Sequence, residues 1–161
     1  MLKGYIEGYY GRLFSQEERS LLLRHMGKLK MDFYLYGPKE DPYHRVLWEK
    51  PYPSKYEKVL EDFVKQSKKN KIRPVFAISP GLKGNKSIAH YRKFLAIKIK
   101  QAKRLGFEEL LSFLMILTTK EMKDWQPNIL KFLNLFQVSI LQQVTYGFVQ
   151  LCTVRVLLRE V

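Results

Sequence analysis

Apolar positions in this chain alternate between short dense runs and longer stretches at helical spacing. Gly4 to Glu7 predicts a strand, because Tyr5 and Ile6 favour extended backbone and Gly8 ends the run. Ser15-Gln16-Glu17-Glu18 has the form of a capping box, and Leu21, Leu22, Leu23, Met26 and Leu29 then predict a wide buried stripe on a helix ending around Gly27 to Lys30. Asp32 to Tyr36 predicts a second strand, apolar enough to be buried on both faces as parallel strands are. Gly37 and Pro38 stop it. The polar and aromatic stretch from there to Pro53 is long for a loop in a compact domain, and such loops are functional or disordered. Ser54-Lys55-Tyr56-Glu57 repeats the capping-box form, with Val59, Leu60, Phe63 and Val64 as the core face of the helix behind it. Val75 to Ile78 predicts a third strand closed by Ser79-Pro80-Gly81, followed by a helix from Ser87 to Leu105, a turn at Gly106 and a fourth strand from Leu110 to Leu117. Regular strand–helix alternation of this kind predicts an α/β fold with a parallel sheet and right-handed crossovers.

Beyond Leu111 the texture changes. Acidic residues thin out to Glu121, Asp124 and Glu160, and turn and capping signals lose their spacing. Ile129 to Leu141 reads as a helix whose pattern fits neither period cleanly, within an otherwise irregular C-terminal tail. The chain therefore divides into residues 1–111, with consistent local signals, and residues 112–161, without them.

Size and charge narrow the picture. With 161 residues, 46 % of them hydrophobic, the chain can pack one core, but a complete β/α barrel takes roughly 250 residues, so barrel units found here are an incomplete set. The length points to a fragment. A net charge of +14 would suit a polyanion, yet Lys55, Lys58, Lys65, Lys68 and Lys69 stand at solvent-face spacing beside Glu57, Glu61 and Asp62. That pattern reads as a solvated face rather than a nucleic-acid surface. The one cysteine, Cys152, excludes an intrachain disulfide and a multi-cysteine metal site. No cofactor is expected. Neither a signal peptide nor an apolar run of membrane-spanning length is visible, so the expectation is a soluble, cytoplasmic chain without a membrane partner.

In β/α barrels the loops after the strands carry the site. Three clusters occupy those places: Glu7-Gly8-Tyr9-Tyr10-Gly11-Arg12, then Tyr36-Gly37-Pro38-Lys39-Glu40-Asp41-Pro42-Tyr43-His44-Arg45, then Ile78-Ser79-Pro80-Gly81. A strand-end glycine lets a ligand approach the backbone, tyrosines offer ring faces and hydroxyls to a sugar, and Lys39 behind a rigid Gly-Pro turn can donate several hydrogen bonds. Spacing alone leaves plainer readings open: a tight turn for Gly8, core packing for Tyr10, a surface ion pair for Lys39. His44 could be an acid or base, but with no partner for a triad or metal site a structural role is the stronger reading. His25 and His90 fall in helical stretches.

Taken in order, these clusters resemble the family-84 glycoside hydrolases, the O-GlcNAcases and bacterial β-N-acetylglucosaminidases, some of them called hyaluronidases, over roughly Lys3 to Leu111. The resemblance implies a partial (β/α)8 TIM barrel, about its first four strand–helix units. It also implies that Gly8 and Lys39 contact an N-acetylglucosamine ring, that Tyr10 lines the pocket, and that the partner is a glycan or glycoprotein carrying N-acetylglucosamine. Tyr9 stands where the family commonly has phenylalanine, and Gly37 where it often has alanine. The implied reaction is substrate-assisted and retaining: the acetamido oxygen attacks the anomeric carbon, and two adjacent aspartates after the fourth strand orient that group and handle the leaving-group proton.

At that place this chain has Ser112-Phe113-Leu114-Met115-Ile116-Leu117-Thr118-Thr119, with no carboxylate. Synonymous codons can be chosen so that Phe113 to Thr119 is spelled TTT TTG ATG ATA TTG ACG ACA, and from the third base this reads Phe-Asp-Asp-Ile-Asp-Asp. Phe148 to Arg155, spelled TTT GTC CAA CTG TGT ACT GTG CGG, reads Cys-Pro-Thr-Val-Tyr-Cys-Ala in the same displaced frame, resembling a motif after the family's next strand. The expectation is a frameshift near Leu110 to Ser112, an early stop, and an inactive chain with no catalytic residue to assign. A non-catalytic sugar-binding remnant and a basic nucleic-acid binder are the alternatives. An uncovered sheet edge would also favour self-association.

Overall fold

In the computed structural model the described backbone comprises residues 3–8, 10–79, 87–115, 139–146 and 149–157, with side chains described as far as Glu109 except at 88 and 92. The elements are β1 (Gly4–Glu7), α1 (Gln16–Lys28), β2 (Phe33–Tyr36), α2 (Ser54–Lys69), β3 (Arg73–Ile78), α3 (Ile88–Arg104), β4 (Glu109–Met115), β5 (Ser139–Tyr146) and β6 (Val149–Leu157). They build one sheet in the order β1-β2-β3-β4-β6-β5. β1 to β4 run parallel in sequence order, each joined to the next by a helix. The expected α/β alternation is thus present.

The pleat explains how the sheet is covered. Tyr34 and Tyr36 of β2 and Phe76 and Ile78 of β3 share one core with Leu23 and Met26 of α1, Leu60, Phe63 and Val64 of α2, and Leu95 and Ala102 of α3. The intervening residues Leu35, Val75 and Ala77 point the other way and form a small second cluster with Phe33. All three helices therefore lie against one face, since residues two apart on a strand share a side.

Helix ends follow local chemistry. Ser15 caps α1 through the full box: its hydroxyl accepts from the Glu18 amide at 3.2 Å, and the Glu18 carboxylate accepts from the Ser15 amide at 2.8 Å. Glu18 also takes both terminal nitrogens of Arg12, at 2.8 and 2.5 Å, and this pairing holds its carboxyl down to about 2. The second expected box does not form. Pro53 is the N-cap of α2, its extended backbone turning a carbonyl toward the amides of Tyr56 and Glu57, and Ser54 is already inside the helix. Ser87 caps α3. Gly106 turns the chain into β4 at φ +91°, where a side chain would be strained.

Two further expectations need correction. The α1 stripe is narrower than its leucines suggest: Leu23 and Met26 are buried, whereas Leu21 and Leu29 are 49 % and 71 % exposed. At 100° per residue Leu21 falls opposite Leu23 and Met26, and Leu29 lies beyond the last turn. The C-terminal segment is not wholly irregular. β6 pairs antiparallel with β4, and β5 with β6, so residues 139–141 of the expected helix are strand, while residues 129–138 lie outside the described residues. Ile140, Val144, Thr145, Val149, Thr153, Val154 and Val156 are β-branched and favour extended backbone over helix. At Gly37 an added Cβ would lie 2.7 Å from the Ala77 Cβ and 3.3 Å from His44 Cε1, so a larger residue there would require β2 and β3 to shift.

Candidate functional site

Parallel strands bring their C-terminal ends to one side, and the described parts of the three clusters gather there; Tyr9, Pro80 and Gly81 lie outside the described residues. Register pairs Glu7 with Tyr36, Tyr36 with Phe76, and Ile78 with Ser112. The Gly37 amide donates to the Glu7 carbonyl at 3.1 Å, and the Ser79 amide to the His44 carbonyl at 3.1 Å. Gly8 and Gly37 thus leave adjacent strand ends, with Lys39 two residues further on. The loop after β2 also reaches β3.

Arg45 holds Tyr10 and lies near enough to Lys39 for their charges to interact. The Arg45 guanidinium donates to the Tyr10 hydroxyl at 3.2 Å and lies 5.6 Å from the ring centre. Core packing for Tyr10 is overturned: the residue is 64 % exposed. Lys39 is half-buried. Burial and then the neighbouring Arg45 charge push its ammonium below the usual lysine range. Gly8 is half-buried as well, and a Cβ there would meet only the Ile6 side chain, at 3.2 Å.

The loop that carries Lys39 is built on Asp41, which the sequence reading passed over. Asp41 is 1 % exposed. Its Oδ2 accepts from the hydroxyls of Tyr36 and Tyr52, each at 2.8 Å, and its Oδ1 from the amides of Tyr43 at 2.8 Å and His44 at 3.3 Å. Its own amide closes a turn onto the Pro38 carbonyl at 3.1 Å, with Lys39 and Glu40 at the centre. The carboxylate makes both hydroxyls harder to ionise, although desolvation is the larger cause. An Asp-Pro pair at the end of a turn was the one available signal.

Two more buried charges support these ends. Glu7, the last residue of β1, takes both nitrogens of the Arg19 fork at 3.0 and 2.7 Å and the Tyr34 hydroxyl at 2.9 Å. The Arg19 guanidinium also lies 5.2 Å from the centre of the Tyr36 ring. Lys98 of α3 is 1 % exposed, its Nζ 4.0 Å from the centre of the Tyr52 ring and 5.6 Å from that of Tyr43.

His44 is structural. It is fully buried, and its Nδ1 lies 2.8 Å from the Ala77 carbonyl, so Nδ1 carries the proton of the neutral ring. Burial pulls its pKa down from 6.5 to about 4. The unfolded chain therefore binds the extra proton between those values, and stability falls as pH drops through that window, by up to about 3 kcal/mol. His44→Asn, which keeps a donor for Ala77 but cannot titrate, is expected to lose this component. Urea midpoints of the two proteins at pH 7, 5.5 and 4 check it, and parallel pH profiles would refute it.

His90 lies 3.0 Å from Glu49. The five lysines assigned to a solvated face are all exposed on α2. Among the described residues no helix is long and apolar enough to cross a membrane. Beyond Ser112, β4 continues past the end of β3 through Phe113, Leu114 and Met115, paired to Thr153, Cys152 and Leu151 of β6. The place expected for the aspartate pair is thus at the same end of the sheet as Gly8 and Lys39.

Comparison with known proteins agrees with this arrangement. The family model described as beta-N-acetylglucosaminidase matches residues 3–150. The Protein O-GlcNAcases of Rattus norvegicus and Mus musculus are each 37 % identical over 81 residues, 50 % of this chain and 9 % of theirs. Among solved structures, a Thermobaculum terrenum O-GlcNAc hydrolase mutant superposes with a TM-score of 0.71 at 26 % identity, covering 83 % of this chain and 30 % of that one. CpGH84B gives 0.72 at 32 % identity, covering 84 % and 24 %. This chain spans under a third of each of these relatives. With strand order, loop motifs and the family match in accord, the chain belongs to the beta-N-acetylglucosaminidases of glycoside hydrolase family 84.

Proposed function

We propose that this chain forms the near wall of an N-acetylglucosamine site, built on the first four strands of a (β/α)8 barrel, and that it does not catalyse hydrolysis. Gly8 and Lys39 contact the sugar ring, Tyr10 lines the pocket, and the ligand is a glycan or glycoprotein carrying N-acetylglucosamine. The observation that carries this reading is the joining of the two loops: the Gly37 amide on the Glu7 carbonyl and Arg45 on Tyr10 put all three residues at one end of one sheet. Helices on a single face of a parallel sheet also suit a barrel, since a doubly wound sheet carries them on both.

The missing carboxylates belong to the same proposal. Residues 113–119 contain none, and we attribute this to a displaced reading frame from near Leu110 onward. The family match runs on to residue 150, which makes the gene itself the deciding observation. Bases across Leu110 to Leu117 that cannot spell two adjacent aspartates in the displaced frame would refute the attribution.

Binding is tested separately by titrating the chain with N-acetylglucosamine while following amide resonances. Shifts confined to residues near Gly8, Tyr10 and Lys39, and lost in Lys39→Ala, are expected. Shifts that survive in Lys39→Ala would remove Lys39 from the site.

A further inference from the structure

We propose that Asp41, Tyr52 and Lys98 form one charge-linked brace that ties α3 to the sugar-site turn, making Asp41 and Lys98 positioning residues for Lys39. This inference rests on the reading of Lys39 as a sugar contact, but the brace can be tested without sugar.

The geometry is specific. Lys39 sits inside the Pro38–Asp41 turn, fixed at one end by the ring of Pro38 and at the other by the Asp41 amide. The Asp41 carboxylate then accepts four hydrogen bonds, from β2 through Tyr36, from the approach to α2 through Tyr52, and from the amides of Tyr43 and His44. All four donors are neutral groups, and a carboxylate buried among them gains from a nearby opposite charge.

Lys98 supplies it through Tyr52. The hydroxyl end of that ring donates to Asp41, and the ring face meets the Lys98 ammonium at 4.0 Å. No hydrogen-bond acceptor among the described residues reaches Lys98 Nζ, so ring faces and the Asp41 field are what hold the cation. Its neighbours in charge or titration are Asp41, Tyr43, Tyr52 and His44, all on the β2–α2 loop. Tyr52 is also held by its backbone: its amide donates to Gln101 Oε1 at 2.9 Å, and Gln101 Nε2 donates to its carbonyl at 3.0 Å. Two successive turns of α3 thus grip the residue that grips Asp41. Burial draws the Lys98 ammonium down to about 8, against the opposing pull of Asp41.

Three measurements on the whole chain decide this. In Asp41→Asn the amides of residues 41 and 43 should exchange about tenfold or more faster than in the parent, with β2 amides unchanged. The Lys98 side chain, followed by NMR, should titrate at lower pH than in the parent because its counter-charge is gone. Lys98→Met, which leaves Asp41 in place, should give the same confined exchange pattern and covers the case in which Asp41→Asn does not fold. Unchanged turn amides, acceleration of all amides together, or an unmoved Lys98 titration would overturn the brace. For its link to the site, N-acetylglucosamine affinity should drop about tenfold in Asp41→Asn but no further when Lys39→Ala is already present. Additive losses would show that Asp41 does not act through Lys39. Absence of binding in the parent would sink the sugar reading and leave the exchange and titration results to judge the brace alone.

Discussion

Incubated with an aryl N-acetylglucosaminide, the purified chain is expected to release no aglycone above a tag-only control. The implied reaction needs one carboxylate to orient the acetamido group and a second to protonate the leaving oxygen, and proton transfer by a placed group contributes about 10²- to 10⁴-fold. Residues 113–119, at the expected place, include none. The buried carboxylates elsewhere cannot stand in. Glu7 is committed to Arg19 and Tyr34, Asp41 to four donors, and Glu109 to Arg73 at 2.8 Å. Turnover above the control would refute the non-catalytic reading directly, since a contaminating hydrolase would persist in a mock purification and the chain's own activity would not.

Arg19→Leu is expected to cost about 3–5 kcal/mol in urea unfolding, the usual penalty for stripping one partner from a buried ion pair. The fork-to-carboxylate geometry with Glu7 is bidentate, and both side chains are almost fully out of solvent, at 7 % and 1 % exposure. Losing the guanidinium leaves Glu7 with the Tyr34 hydroxyl as its side-chain donor among the described residues. Such a loss is a large fraction of a typical domain's total stability of about 5–15 kcal/mol, so the variant's urea midpoint should fall well below the parent's. Arg19→Leu combined with Glu7→Gln should recover part of it, because the stranded charge is gone. A single-variant loss below about 1 kcal/mol would place this pair in the class of exposed ion pairs and contradict its burial.

Much of the fold was legible because local signals and pleat agree. Strands β1 to β3 and helices α1 to α3 lie within a few residues of where periodicity, Gly8, Gly37 and Gly106 put them. The failures share a cause. A Ser with Glu three residues on describes both Ser15 and Ser54, and only the tertiary placement of Pro53 decides which one caps. No local signal marked Glu7, Arg19, Asp41 or Lys98 as buried, yet all four are. Their partners lie up to 46 to 57 residues away in sequence in the case of Lys98 with Tyr52 and Asp41, a spacing no local window contains. At the site, Gly8, Tyr10 and Lys39 could be picked out because they follow strands. Arg45 and Asp41, which hold two of them in place, could not, because their importance appears only when the loops are folded together.

The reversal of strand direction after β4 limits how this sheet can grow. β6 runs antiparallel along the free side of β4 from Glu109 to Met115 and uses the peptide groups that a fifth parallel strand would require. Adding a further parallel strand beside β4 in trans is therefore an exchange reaction rather than simple docking: an incoming piece must first strip β6 away. Its rate should follow the opening of that pairing rather than the concentration of the newcomer once the newcomer is in excess.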